Sequence, residues 1–592
     1  MNVAFSSAQA KPGGNVSRAW LRALEITACA TREPSRILPR AVAEWADAYG
    51  DHVAMISERE TFTYRQLAAR VNIYARWALA AGIAKGDAVA LMMRNRPDYF
   101  ALWLGLTQVG AIAALISPDL QGAALTHALN VSGSGRVIVD LDLLAVARRA
   151  APAELWVHDG EHMDARSLQA ELVGVSSAPL AEAERREVTL DDRALRIFTS
   201  GTTGLPKAAE VSHRRIVVWS HWFAGLAGLN SEDRHYNCLP MHHSVGGVVA
   251  IGAPLVFGGS VAIVEKFSAS RFWDEVQRYD CTSFQYIGEL CRYLTAAPER
   301  AAEKGHRIHL ALGNGLAPEV WRAMLDRFGP IQVLEFYAST EGNVWLYNVE
   351  GRIGALGRVP PYLAASDPIA LVKFDADAQT PLRGPDGFCV RCEDDEPGEA
   401  IGRIGVNPSQ RFEGYSEVKE TEKKILRDVF KPGDAFMRTG DLMKRDDQGF
   451  YSFVDRIGDT FRWKGENVST LEVAEVCRQA GVEEALVFGV KVAGHDGCAG
   501  MAVLKASVPL DLAAFAEGLA ELPRHARPLF LRVVGEIAAT ETHKPKRALY
   551  LAEGFDPSRT RDPLFVFDAE IAAYVALDAE RYEAIQTGRV RV

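Results

Sequence analysis

The chain has 592 residues, more than one ordinary domain holds, and length alone implies about two to four compact units. Hydrophobic residues make up 48% and charged residues 24%, close to globular averages, so disordered and fibrous classes are excluded. A net charge of −10 argues against a nucleic-acid protein held mainly by phosphate contacts, while leaving room for a local basic patch.

In chain order, the first fourteen residues lack the charged start and apolar core of a signal peptide. Strand-like runs at His52–Ile56 and Asp87–Met93 bracket a helical pattern over Tyr64–Ala81, closed by Gly82. Ala101–Ile116 is the most apolar stretch, yet it contains Thr107, Gln108 and two glycines and falls short of the roughly 20 residues of a spanning helix. It reads as a buried helix leading into a core strand. Further on come a strand in Ser260–Phe267, a helix over Phe272–Tyr279 and a strand over Thr282–Ile287. Such alternation predicts an α/β fold with mixed sheets covered by helices. Past Arg456 the pattern is a helix over Thr470–Ala480, strands at Glu484–Val492 and Ala499–Ala506, and another helix. The expected organisation is a large N-terminal region of several subdomains, 1–457, and a small mobile α/β domain, 458–592.

Eight cysteines in so long a chain do not make a disulfide framework and fit a reducing compartment. Cys389 and Cys392 have CxxC spacing, but no second pair or histidine cluster completes a zinc site, and alternation on a strand explains them.

The chemistry begins at Thr199–Lys207, TSGTTGLPK, which follows a strand-like Leu195–Phe198 and precedes a helix that Ser212 is suited to cap. Glycines and hydroxyls let backbone N–H groups of Thr199, Ser200, Gly201, Thr202, Thr203 and Gly204 approach a phosphate, and Lys207 supplies charge. The spacing GxxxxGK[ST] is absent, so kinase or GTPase chemistry is not implied. The plain structural alternative is a polar turn.

This loop resembles the phosphate loop of the adenylate-forming superfamily, which includes acyl-CoA synthetases, luciferases and peptide-synthetase adenylation domains. Four further segments resemble that superfamily in its order: LPMHHSVGG (Leu239–Gly247), FYASTEGN (Phe336–Asn343), RTGDL (Arg438–Leu442) and DRIGDTFRWKGENVST (Asp455–Thr470). FQYIGELCRYL (Phe284–Leu294), GNGLAPEVW (Gly313–Trp321), EFYASTEGN (Glu335–Asn343), DTFRWKGENVST (Asp459–Thr470) and EGFDP (Glu553–Pro557) resemble one branch of it, the fatty acid transport protein and very-long-chain acyl-CoA synthetase family. The resemblance runs from about Thr61 to the C-terminus. It implies a long-chain fatty acid-CoA ligase with ATP, Mg²⁺ and coenzyme A as co-substrates and cofactor.

Each residue is then expected to have a physical role. A carboxylate meeting the α-phosphate of ATP brings two anions together, so the site must neutralise charge and hold the reactants in line. The resemblance gives Glu341 to Mg²⁺, which takes oxygen ligands. It gives Thr340 to the α-phosphate, Gly313, Asn314 and Tyr337 to the nucleotide, and Asp441 and Arg456 to the ribose. Lys544 is expected as the adenylation lysine. A cation about 4 Å from a developing anion contributes roughly 4 kcal/mol at an effective dielectric near 20. The chain departs from the common Gly-Lys ending here: TETHKPK places Lys544 and Lys546 two apart, and counting from Thr540 favours Lys544. His243 is expected over the acyl carbonyl, although His242 stands where relatives carry an aromatic, which leaves open which of the two lines the site. Gly458 and Asp459 fall at the expected interdomain hinge, where a glycine absorbs a large φ/ψ change at low cost. Gly465 in Trp463–Asn467 would leave room for the pantetheine arm. Gln285–Gly288 and Gly246–Gly252 would line an acyl tunnel, with close helix packing as the alternative at the glycines.

Two other functions compete: an adenylating ligase for another acid (bile-acid-like or aromatic) or for a carrier protein, and a fatty acid transport or binding protein without catalysis. Thr340, Glu341, Asp441, Arg456 and Lys544 argue against the last, since binding alone does not need them. The expected partners are fatty acid, ATP and CoA, not nucleic acid. The expected location is cytoplasmic or peripheral to the inner membrane; membrane contact and homo-oligomerisation stay open, and no lipidation motif stands out.

Overall fold

The computed structural model describes residues 16–150, 154–200, 205–366, 369–375, 378–457, 460–463, 466–493, 495, 497–506, 510–539 and 545–590. The chain divides into two compact units, Met1–Arg358 with Arg411–Lys424, and Val359–Gln410 with Ile425–Val592. The division expected at 457/458 therefore lies inside the second unit.

Two sheets form the first unit. An eight-stranded sheet runs in the order Trp345–Asn348, Gln332–Ala338, Leu310–Asn314, Ser283–Ile287, Arg234–Asn237, Ser260–Ile263, Val53–Ile56, Thr61–Thr63. Its inner six strands are parallel and each edge strand is antiparallel. One face packs against the helices Phe272–Arg278, Gly288–Ala296 and Pro318–Phe328, burying Tyr236, Phe284, Trp273, Trp321 and Phe328. Each fully buried side chain of this size contributes roughly 1.5–3 kcal/mol of transfer free energy. The second sheet has seven strands in the order Arg166–Ser167, Glu154–His158, Arg136–Asp140, Ala88–Met92, Ile112–Leu115, Arg193–Ser200, Pro206–Ser212. All its pairings are parallel except the last, an antiparallel hairpin.

Local signals explain the element ends. Helix Tyr64–Ala80 starts at Thr63, whose hydroxyl accepts from Gln66 N while the Gln66 side chain accepts from Thr63 N, a reciprocal capping box. The apolar run resolves into helix Pro97–Gln108 and strand Ile112–Leu115, with Pro97 through Thr107 all buried. Being buried on every side is why it carried no polar face. No helix among the described residues is long and apolar enough to cross a membrane.

Among the described residues the second unit holds two five-stranded sheets, besides the two-stranded pairs Phe374–Asp375 with Thr380–Pro381 and Phe461–Trp463 with Glu466–Val468. In the first, Ile369–Val372, Gly398–Arg403, Ala435–Arg445 and Ile425–Arg427 pair in that order, all antiparallel, and Tyr451–Arg456 adds to Ala435–Arg445. In the second the order is Glu484–Val490, Ala499–Lys505, Phe530–Val534, Leu564–Asp568, Ala573–Ala576, with Ala499–Lys505 and Phe530–Val534 parallel and the other pairs antiparallel. Its core includes Val473, Phe488, Met501, Phe515 and Phe530. The helices expected beside it are Thr470–Gln479 and Leu512–Gly518.

Candidate active site

In the first unit the candidate site is assembled on the hairpin that carries Thr199 and Lys207. Arg193–Ser200 and Pro206–Ser212 pair so that Thr199 stands opposite Lys207. Helix His213–Ala227 follows at once, its first turn capped by the Ser212 hydroxyl accepting from Arg215 N. A segment far along the sequence, Arg411–Lys424, returns to this hairpin: Glu210 N donates to Gly414 O at 3.0 Å and Ser416 N to Ala208 O at 2.9 Å. Its side chains then grip three pieces of the site. Glu413 accepts from Ser212 N at 2.7 Å and from the Ser212 hydroxyl at 2.5 Å. Glu420 sits 2.6 Å from the Lys207 ammonium. The Tyr415 hydroxyl donates to Glu341 Oε1 at 2.9 Å and is hydrogen-bonded to Thr199 as well. Burial, and then the Glu341 carboxylate, push this phenol far above its ordinary range, so it remains a donor.

Glu341 itself is 8% exposed, and its backbone carbonyl accepts from the Arg215 guanidinium at 3.2 Å. Thr340 shares a hydroxyl–hydroxyl hydrogen bond of 3.0 Å with Ser244. Thr199 and Lys207 on one segment and Thr340 and Glu341 on another are thus tied together by Tyr415 and Glu420, with Ser244 held against Thr340. Sequence reasoning missed these linking residues, because an isolated GY pair or a glutamate in a charged run carries no signal of what it will contact.

The two histidines separate. His242 is 5% exposed and pushed well below its ordinary range by burial and by its neighbour His243, so it is neutral. His243 is half-buried, its ring centroid 4.3 Å from that of His242. At Gly246, Gly247 and Gly252 the structure takes the packing alternative: a Cβ would lie 2.4 Å from Pro240 O, 1.9 Å from Met241 O and 2.1 Å from Ser220 Oγ. These glycines make room for neighbours already present. Gly288 does the same, with Gly315 O 1.7 Å from its absent Cβ. Gln285 is buried and donates to Leu312 O at 2.7 Å.

Gly313 and Asn314 end one parallel strand and Tyr337 stands near the end of the next, with Gly313 in register with Glu335. Carboxyl ends of parallel strands are where open α/β sheets bind ligands. Glu335, unassigned by the sequence reading beyond its motif, is 3% exposed. Its Oε1 accepts from Gly315 N at 2.5 Å and Leu316 N at 3.2 Å, and its Oε2 from the Tyr286 hydroxyl. Burial pushes its carboxyl up to about 8, and those three donors hold it from rising further.

In the second unit, Asp441 and Arg456 are cross-strand partners, Arg456 Nε lying 3.5 Å from Asp441 Oδ1. Asp441 is presented by a bulge: Gly440 has φ +80°, and the Thr439 hydroxyl donates to Ala400 O at 2.6 Å while accepting from Asp441 N at 3.0 Å. Asp455, which the sequence reading left without a role, is 1% exposed and accepts from Arg456 N, Thr470 N and the Thr470 hydroxyl. Gly201, Thr202, Thr203, Gly204, Gly458, Asp459, Gly465 and Lys544 lie outside the described residues, as does the side chain of Ser200.

Comparison with known proteins follows the same lines. The model of the AMP-binding enzyme family matches residues 42–371. Long-chain fatty acid transport protein 6 of Mus musculus is 40% identical over 552 residues, covering 91% of this chain and 88% of its own. Among solved structures, ATP-bound MatB from Rhodopseudomonas palustris superposes with a TM-score of 0.72 at 23% identity, covering 87% of this chain and 98% of that one. A benzoate CoA ligase from Burkholderia xenovorans also gives 0.72, at 19% identity, with 87% and 99% covered. The shared fold is the adenylate-forming one, with the expected mixed sheets under helices. The chain belongs to the AMP-binding enzyme family and, within it, to the family of long-chain fatty acid transport proteins.

Proposed function

We propose that the chain is an AMP-forming acid–thiol ligase that joins a long-chain fatty acid to coenzyme A. The acid attacks the α-phosphate of ATP to give an acyl-adenylate and pyrophosphate, and the CoA thiol then displaces AMP to give the thioester. The observation that carries the reading is the meeting of Lys207, Thr199 and Glu341 around Tyr415 and Glu420, which sets a cation, a hydroxyl and a carboxylate at one place in the first unit. Mere binding of a fatty acid would not require that set. The long acyl chain rests on the name that the relatives carry, long-chain fatty acid transport proteins.

Roles follow from the chemistry of each group. Lys207 binds phosphate oxygens, exchanging its pair with Glu420 for them. Thr340 donates to the α-phosphate. Asp441 accepts from the ribose hydroxyls beside Arg456, and Lys544 brings a cation from the C-terminal part of the chain. His243 orients the acyl carbonyl. Glu341, with one oxygen engaged by Tyr415, offers a single carboxylate, which suits a Mg²⁺ held largely by substrate phosphates. That ion would neutralise charge on the polyphosphate as the acid approaches. Residues 458–592 are the moving part, turning at Gly458–Asp459 to bring Gly465 and the pantetheine arm to the adenylate.

The test is pyrophosphate release with ATP, Mg²⁺ and a panel of acids from short to very long, with and without CoA. Release that depends on a long-chain acid, with CoA consumed to thioester, supports the reading. Release without thioester moves the acyl acceptor elsewhere, and no release with any acid from folded, ATP-binding protein overturns it. Gly458→Pro should slow thioester formation by about tenfold or more while sparing pyrophosphate release. Equal loss of both steps would remove the hinge from this position.

A further inference from the structure

Glu335 is a buried acid whose hydrogen-bond partners among the described residues are all neutral. Its place is set by its neighbours. The Tyr286 ring lies over Gly313, whose absent Cβ would fall 2.6 Å from the ring and 2.3 Å from Tyr286 O, and the phenol crosses that strand to reach Glu335 Oε2. Only glycine at 313 leaves this path open. The other carboxyl oxygen takes both N–H groups at the start of the turn after the strand, from Gly315, at φ +79°, and from Leu316. On its far side the turn is pressed against Gly288, with Gly315 O where a Cβ would be. Helix Pro318–Phe328 begins immediately beyond. The turn therefore has a wall on one side and a two-pronged acceptor beneath it.

The donor set explains the residue type. Two backbone N–H groups and a phenol face the side chain, so a group with one oxygen for both N–H groups and a second polar atom for the phenol satisfies them all, whereas an apolar group of the same size would leave two backbone N–H groups buried without partners. The hydroxyl of Tyr286 and the thiol of Cys291 are the titratable groups beside it, and neither supplies positive charge.

We propose that Glu335 is a positioning residue for the nucleotide site: it acts through Gly315 and Leu316 to hold Gly313 and Asn314 in the form that receives ATP. This rests on the proposed function, in which Gly313 and Asn314 contact the nucleotide.

The experiment compares wild type, Glu335→Gln, Glu335→Met and Tyr286→Phe by ATP titration, steady-state kinetics for ATP and for the acid, and thermal melting. Glutamine keeps an accepting oxygen under Gly315 and Leu316, so its KM for ATP should stay within about threefold of wild type. Methionine removes both acceptors and should raise the KM for ATP by about tenfold or more, with the KM for the acid changed far less. A methionine variant that folds with an unchanged KM for ATP overturns the proposal, as does one in which kcat falls and that KM does not. Should the methionine variant not fold, Tyr286→Phe decides: about a threefold rise in the KM for ATP supports the role, and no rise overturns it. Wild-type ATP binding in the same titration tests the underlying reading separately, since its absence would count against the nucleotide site and not against Glu335.

Discussion

Asp98 and Glu335 are each 3% exposed, yet their surroundings drive them in opposite directions. Asp98 stands in the first turn of helix Pro97–Gln108, where the helix dipole favours negative charge. Arg70 donates to both of its oxygens at 2.7 Å, the Tyr74 hydroxyl donates at 2.6 Å, and His158 Nε2 lies 2.9 Å away. Burial alone would raise its pKa, but the hydrogen bonds from Arg70 and His158 overcome that and hold the carboxyl well below the usual carboxylate range. A second carboxylate, Asp140, faces the other side of His158 at 3.3 Å and pairs with Arg96 at 3.2 Å. Around Glu335 the donors are neutral, and burial wins. The lesson is that burial decides little by itself: a cation with matched geometry turns an acid into a fixed structural charge, and neutral donors leave it able to titrate near neutrality.

The largest effect that would break this contrast is on Asp98. Asp98→Ala leaves the buried His158 and the half-buried Arg70 without this carboxylate and should cost about 3–5 kcal/mol in denaturant unfolding. A loss under about 1 kcal/mol would mean that the cluster is not a buried ion-pair network.

Next in size is the pH dependence that Glu335 imposes. Its folded pKa is raised from 4.5 to about 8, so the native state binds the extra proton and stability falls as pH rises from 4.5 through 8. The slope approaches about 1.4 kcal/mol per pH unit where the difference in bound protons is a full one. Glu335→Gln should flatten the curve over that window, and an unchanged slope would show that another group carries it.

His158 sharpens the comparison from the opposite sign of charge. Burial lowers its pKa, but hydrogen bonds to Asp140 and Asp98 prevail and raise it above 6.5. Its contribution is therefore fully present below pH 6.5 and is lost as pH rises through the folded value. His158→Gln should cost about 1–3 kcal/mol at pH 6 and less at pH 9, read from melts at the two values. Equal losses at both pH values would assign the histidine a packing role alone.

The contrast also shows which parts of the molecule could be read in advance. Alternating strands and helices were legible wherever burial is periodic, and the capping box at Thr63–Gln66 marks a helix start on its own. Thr199–Lys207, Phe336–Asn343 and Arg438–Leu442 were legible as segments because each sets small and hydroxyl residues in a fixed local order, which at Arg438–Leu442 the bulge at Gly440 uses. The glycines of 246–252 were readable only as glycines. Whether they open a passage or let a backbone approach depends on Pro240, Met241 and Ser220, and the structure puts those atoms in the space.

The sequence by itself determined what depends on neighbours a few residues apart: most element types, the strand before Thr199–Lys207 and the helix capped by Ser212 after it, though not the strand Pro206–Ser212 between them, and the motif order that names the family. Tertiary structure alone decided which distant side chains meet. Tyr415 reaches Glu341 across 74 positions, Glu420 reaches Lys207, and Tyr286 reaches Glu335 across 49. The physical reason is that the pKa and orientation of a polar group follow from the donors, charges and dielectric around it, and these are supplied by segments whose proximity no local pattern encodes.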